Sequence, residues 1–225
     1  MIGIIGAMQP EVEAIVDLVD EKKINNVKSL AFIEGKINGK DVVIAQCGIG
    51  KVFAGMCAEA MILNYDLDYI LNVGVAGTLS EKLSVGSIAI SKSLIQHDMD
   101  TSPLGDPIGM ISGINIIEIP ANKGVIWKVE EVVKSLGINY EIGIIASGDQ
   151  FINDDKKKNY IKNTFGAIAC EMEGAAVAQV AYVNKVPFCV IRAISDSADG
   201  SSHTDFFEFL KVAVENTKHV ISKLI

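Results

Sequence analysis

Arginine is almost missing from this sequence: among 225 residues, Arg192 is the single one. Sites that clamp a phosphate ordinarily use forks of arginine, and no lysine cluster stands in for them. The one basic run, Lys156-Lys157-Lys158, follows directly on Asp154-Asp155 and reads as a solvated helix face. With a formal net charge of −8, neither nucleic acid nor an anionic membrane surface is an expected partner. The four cysteines (47, 57, 170 and 189) lack C-x-x-C spacing, and three lie in apolar stretches. They read as structural thiols of a reducing compartment rather than as disulfides or metal ligands. The three histidines (97, 203 and 219) are scattered, without H-x-x-x-H or H-E-x-x-H, so no metal site is legible and no cofactor is expected. The opening M-I-G-I-I-G-A-M-Q-P-E-V-E lacks a basic leader and turns acidic at once, which reads as a first strand. No apolar run is long enough to span a membrane. A cytoplasmic protein is expected.

What is present is apolar residue in quantity, 49% of the chain, with 20 glycines. No shift in composition divides the chain, so one domain over residues 1–225 is expected. Ile2 to Gly6 reads as a buried strand, and Pro10 opens a helix continued by Val12, Ile15, Val16 and Val19. Glu11 and Glu13 fall in its first turn, where the helix dipole alone would account for both. Asn38-Gly39, between apolar runs 31–36 and 41–47, is the dipeptide of a type I′ hairpin. Gly48-Ile49-Gly50-Lys51 leads into a helix over 52–65, but Ala45 and Val52 break a Walker loop and Phe53 breaks a dinucleotide fingerprint. This turn either brings backbone N–H groups near a ligand or serves packing alone. Strands follow at 68–75 and 85–91, then a long aperiodic segment, 97–113, with apolar Met99, Leu104, Ile108, Met110 and Ile111. Such content suggests that it covers a pocket or a subunit boundary. Helices over 121–136, 155–163, 172–184 and 203–224 alternate with strands at 141–146, 167–170 and 187–194. The pattern predicts an α/β fold: a three-layer sandwich with a central mixed β-sheet flanked by helices.

Chemistry gathers where strands break into polar turns, since ligands of open α/β sheets bind beyond the carboxyl ends of the strands. Pro187 to Ile194 is almost wholly apolar and then gives Ser195-Asp196-Ser197-Ala198-Asp199-Gly200. Arg192 lies inside that run and needs an anionic partner or water. Cys170-Glu171-Met172-Glu173-Gly174 offers two more carboxylates at a helix start, and Gly74-Val75-Ala76-Gly77 permits close approach to the backbone. Phe151, beside the polar turn 147–153, is either a stacking platform or a core residue folded back. Paired carboxyl groups acting as acid and base suffice to cleave a glycosidic bond through an oxocarbenium-like transition state. The acid must stay protonated near neutrality. Asp196, after an apolar strand and near Asp199, is placed for that, and Glu11 at a helix N-terminus is expected to stay ionised.

Taken together, G-I-I-G-A-M at 3–8 with Glu11, G-I-G-K-V at 48–52, S-G-D-x-F-I at 147–152, E-M-E-G at 171–174 and V-P-F…R-A-I-S-D at 186–196 resemble the bacterial 5′-methylthioadenosine/S-adenosylhomocysteine nucleosidases of the purine nucleoside phosphorylase superfamily. The resemblance implies that Asp196 protonates adenine N7, with Ser195 orienting it, and that Glu11 activates the water attacking C1′. It assigns the ribose hydroxyls to Glu173, packing against the sugar to Met172, and the catalytic water with its carboxylates to Arg192. Phe151 would stack on adenine, the Ile152 backbone would read its Watson–Crick edge, and Met8, Ala76 and Gly77 would line the site. It further implies a homodimer in which the 97–113 loop covers the 5′-thio group in the partner's site. Val75 stands where relatives often carry a serine near the attacking water, and the loop has Leu104, Asp106 and Ile108 where many carry aromatic residues. The rival readings are a phosphate-dependent nucleoside phosphorylase, an aminodeoxyfutalosine nucleosidase with the same chemistry on another 5′ group, and a non-catalytic nucleoside-binding protein. The first lacks arginines, and the last would be expected to have lost Glu11 or Asp196.

Overall fold

The computed structural model describes residues 1–196 and 203–225, with the backbone alone described for Asp196 and 203–208. Strand β1 (Ile2–Gly6) is buried along its whole length, as a strand covered on both faces must be. Helix α1 (Gln9–Val16) follows, with Pro10 in its first turn. Strands β2 (Asp20–Val27), β3 (Leu30–Ile37) and β4 (Lys40–Gln46) form an antiparallel meander. Its second turn holds Asn38 and Gly39 at φ of 49° and 81°, both positive as a type I′ turn requires. Strand β2 was not foreseen. Its sequence D-E-K-K-I-N-N-V is mostly exposed and lacks alternation, because it is a charged edge strand whose lysines discourage further pairing.

After α2 (Lys51–Asn64) come β5 (Tyr69–Thr78) and β6 (Ile88–Gln96), followed by the long loop and a two-residue strand, β7 (Ile119–Pro120). The remainder alternates: α3 (Lys123–Leu136), β8 (Tyr140–Ser147), α4 (Asp155–Phe165), β9 (Ala167–Glu171), α5 (Gly174–Val183), β10 (Phe188–Asp196) and α6 (His203–Leu224). Among the described residues all ten strands join one mixed sheet, in the order β10-β6-β8-β9-β5-β1-β4-β3-β2 with β7 beside β6. Because β10 also pairs with β5, strands β5, β10, β6, β8 and β9 close into a ring, and β1 to β4 extend from it as an open wing. Apolar faces of α2 and α5 cover one side through Ala54, Ala58, Met61, Ala175, Ala178 and Ala181. Helices α1, α3 and α6 cover the other with Ile15, Val125, Val129, Val133, Ala213 and Ile221. These are the three layers expected. No helix among the described residues is long and apolar enough to cross a membrane.

Two features of the strand ends shape the site. Between Ile194 and Asp196 the pairing of β10 with β5 slips by one residue. This bulge at Ser195 sets the Asp196 backbone opposite Gly77, and bulges commonly re-aim side chains in this way. Strand β9 meets β5 antiparallel, Gly77 opposite Cys170 and Thr78 opposite Ala169, so two carboxyl ends overlap. The meander is packed more tightly than its exposure suggests. A Cβ at Gly35 would lie 2.4 Å from Val19 Cγ1 and 2.5 Å from the Asp20 carbonyl oxygen. Gly35→Ala is therefore expected to cost about 3 kcal/mol in urea unfolding. Gly39→Ala, with nothing near its Cβ but φ at +81°, should cost only about 1 kcal/mol.

Candidate active site

The first-turn carboxylates of α1 have different fates. Glu13 is exposed and accepts a bond from Gln9 at 2.6 Å. Glu11 is buried and folds back over the end of β1. Its Oε2 accepts the Ala7 and Met8 N–H groups at 3.0 and 2.8 Å, and its Oε1 accepts Val75 N–H at 3.1 Å. A Cβ on Gly74 would stand 2.9 Å from that Oε1. The glycine pair expected to admit a ligand thus first admits the chain's own carboxylate.

Arg192 is 1% exposed, opposite Gly74 on β5. Its Nε and Nη2 donate to Glu171 Oε2, Nη2 also donates to Asn72 Oδ1 at 2.6 Å, and Nη1 donates to the carbonyls of Asn72 and Ile191 at 3.2 Å. All five guanidinium donors are committed to protein acceptors, so the cation reaches the other carboxylates through its field rather than by a bond. Asn72, unremarked in the sequence, passes the link to β1 by donating to the Ile5 carbonyl at 2.9 Å. A lone amide in the apolar run Y-I-L-N-V was the available signal. Glu171 also accepts from Ser147 Oγ and from the Glu173 and Gly174 N–H groups, the latter at 3.1 and 2.7 Å. It therefore fixes the start of α5 as well as the guanidinium.

Glu173 is buried, and its Oε1 accepts Gly50 N–H at 2.9 Å, while Asp149 Oδ1 accepts Lys51 N–H at 2.8 Å. Helix starts attract anions, and here the anions are carboxylates of the protein itself. The G-I-G-K turn is neither a free cradle nor mere packing. Among the described residues, one guanidinium faces three buried carboxylates, Glu11, Glu171 and Glu173. Burial raises the Glu11 carboxyl above its ordinary range, although the Met8 N–H, the Arg192 charge and two further N–H groups oppose it. Burial, then the Glu171 charge, push Glu173 up to about 7. Burial thus gives the Glu11 carboxyl a higher affinity for a proton than a solvated carboxylate has.

The remaining expected residues surround this cluster. Ser195 is 2% exposed at the bulge, Ala76 lies buried opposite Ile194, and Gly77, Met8 and Met172 are half-buried. On the turn after β8, Ile152 is buried whereas Phe151 is 59% exposed, which excludes a core role for that ring. The Asp196 side chain and Asp199 lie outside the described residues, so only the Asp196 backbone is located.

The phosphorylase superfamily model matches residues 1–225. The chain belongs to that superfamily. It is 38% identical over 226 residues to the 5′-methylthioadenosine/S-adenosylhomocysteine nucleosidase of Staphylococcus haemolyticus, covering 100% of this chain and 99% of that relative. A solved nucleosidase of that name from Neisseria meningitidis, in complex with methylthio-immucillin-A, superposes with a TM-score of 0.94 at 32% identity, over 99% of this chain and 97% of the other. The futalosine hydrolase of Helicobacter pylori superposes with a TM-score of 0.93 at 34% identity, covering 99% and 96%. The chain is thus a member of the methylthioadenosine/adenosylhomocysteine nucleosidase family.

Two measurements test the charge cluster. Arg192→Met would leave Glu171 buried without its cation and should lower unfolding stability by about 4 kcal/mol; adding Glu171→Gln should recover much of the loss. For Glu173, a folded value of about 7 against 4.5 means that the folded chain holds a proton the unfolded chain releases. Its stabilising contribution is complete below the unfolded value and lost as pH rises through the folded one. Glu173→Gln keeps the acceptor for Gly50 without the titration. Its stability relative to wild type should climb by up to about 3 kcal/mol between about pH 5 and pH 8.

Proposed function

We propose that the protein hydrolyses the N-glycosidic bond of 5′-methylthioadenosine and S-adenosylhomocysteine, releasing adenine and the 5-thioribose product. The observation that carries this reading is the excess of carboxylate over cation among the described residues of this cluster, Glu11, Glu171 and Glu173 against Arg192. As the bond to the base breaks, positive charge grows on C1′ and the ring oxygen. A preorganised negative environment stabilises that transition state and repels a phosphate nucleophile. The N–H groups of Gly50 and Lys51, which could hold a phosphate, already bind Glu173 and Asp149. Water is the fitting nucleophile.

Asp196 delivers a proton to adenine N7, oriented by Ser195, and the base leaves neutral. Glu11 takes the proton from the attacking water, and its raised affinity for protons makes it a stronger base than a solvated glutamate. Glu173 holds the ribose hydroxyls with Met172 packed on the sugar. Arg192 supports the catalytic centre by its charge. Phe151 stacks on the base, the Ile152 backbone reads its edge, and Met8, Ala76 and Gly77 line the pocket. Residues 1–225 act as one nucleosidase domain, working in the cytoplasm as a homodimer. Support for the dimer comes from α2, whose outward face carries Val52, Phe53, Met56 and Leu63 at 72, 56, 52 and 73% exposure. Leu104 and Ile108 of the 97–113 loop are exposed too, as a cover for a partner's 5′-thio group would be.

Purified protein incubated with 5′-methylthioadenosine should release adenine at a rate unchanged by added phosphate. Asp196→Asn and Glu11→Gln should each slow release about 10³-fold while still binding the nucleoside. A strict need for phosphate would make the protein a phosphorylase. Faster release from 6-amino-6-deoxyfutalosine would move its substrate to that of the futalosine-type relatives.

A further inference from the structure

Beside the carboxylate cluster lies a second polar network that the reaction chemistry does not use. The Lys51 ammonium, at the start of α2, sits 2.6 Å from Asp98 Oδ1 and donates to Gln96 Oε1 at 3.0 Å. Asp98 Oδ2 accepts Asp149 N–H at 3.0 Å, and Asp149 Oδ1 accepts Lys51 N–H at 2.8 Å. The bonds close a ring through three segments: the α2 start, the end of β6 where the 97–113 loop begins, and the turn 147–153. Gln96 extends it to α5 by donating to Gln179 at 2.6 Å. The lysine and aspartate side chains are 18 and 20% exposed, which shields the pair from solvent screening without stripping it of water. Burial alone would raise the Asp98 carboxyl, but the Lys51 bond, the Asp149 N–H and the Lys51 charge hold it below its ordinary value. The Asp98 carboxyl is therefore ionised at neutral pH.

The ring is also wedged. His97 packs on Gly148 so closely that a Cβ there would stand 2.3 Å from Nε2, and that buried nitrogen has no hydrogen-bond partner among the described residues. The histidine side chain fills space between loop and turn, while its backbone N–H donates to the Ser147 carbonyl at 2.9 Å. Gly50, one residue before Lys51, donates to Glu173. Loop, base-side turn and ribose-side carboxylate all refer to one point on α2.

We propose that Lys51 and Asp98 are positioning residues for the nucleoside, locking the start of the 97–113 loop to the 147–153 turn and to Glu173 so that the contacts for base, sugar and 5′ substituent are set together. This rests on the nucleosidase reading and adds to it a pair that touches no reacting atom. The lock favours binding more than chemistry, because Glu11 and the β10 end are tied to β1 and β5 by other bonds.

The test is steady-state adenine release from 5′-methylthioadenosine by Lys51→Met, Asp98→Asn, the double variant and Lys51→Arg, with amide hydrogen exchange on each protein without ligand. Each single variant should raise KM about tenfold with kcat within about threefold of wild type. The double variant should be no worse than the poorer single, since both remove one interaction, and Lys51→Arg should recover most of the loss. Exchange in 97–113 and 147–153 should quicken together in Lys51→Met, with 30–46 unchanged. Additive KM effects, an unchanged KM, or exchange confined to the α2 start would overturn the proposal. Should wild type release no adenine, the nucleosidase reading fails, and the exchange comparison still decides whether the lock joins the two segments.

Discussion

A guanidinium removed from water must find acceptors for five N–H groups and an anion for its charge, and the interior of this protein is arranged to meet that demand. Glu171 supplies the charge, Asn72 supplies an amide and a carbonyl oxygen, and Ile191 closes the count. Each partner does a second task. Asn72 ties β5 to β1, and Glu171 caps α5 and meets Ser147 on β8. The ion pair is therefore a junction of five strands and a helix, and its geometry fixes where the carboxyl ends of those strands stand. Buried ion pairs seldom add net stability relative to apolar replacements. What this one supplies is placement, together with a cation whose charge is largely spent on Glu171. Glu11 and Glu173 are left in a field short of positive charge.

Backbone amides supply the rest of the compensation. Ala7, Met8 and Val75 bind Glu11, and Gly50 binds Glu173. Main-chain donors are rigid, carry no net charge and cannot be titrated away. Carboxylates held by them keep a fixed position while their proton affinity stays high, a combination that suits acid–base work on a substrate developing positive charge. Held by lysines or further arginines, the same carboxylates would have been quenched.

Much of this was legible. Fully apolar runs ended by polar turns gave the parallel strands, Asn38-Gly39 gave the hairpin, and the turns gave the neighbourhood of the site. Spacing could not separate Glu11 from Glu13, because burial of the first depends on Gly74 leaving room 63 residues away. The edge strand β2 was unreadable since it has no buried face to impose alternation. Arg192 announced a partner but not which of two glutamates, and the choice of Glu171 follows from the register of β8 on β9, which sets Ser147 beside it. The G-I-G-K turn was ambiguous for a similar reason. Its ligands, Glu173 and Asp149, come from the far half of the chain.

The closed strand ring also has a temporal side. Strands β5 and β6 leave the ribosome early, yet the ring that joins them is completed only when β10 arrives, with Phe188 beside Ile70 and Ile191 beside Ile90. Such long-range pairings are slow to form. The wing of β1 to β4, built from neighbouring segments apart from its contact with β5, can assemble much sooner. During translation Glu171 thus emerges before the lone guanidinium with which it pairs. The Glu171–Arg192 junction can close only once the last strand is in place, so it is completed from the end of the chain rather than grown outward from the first strand.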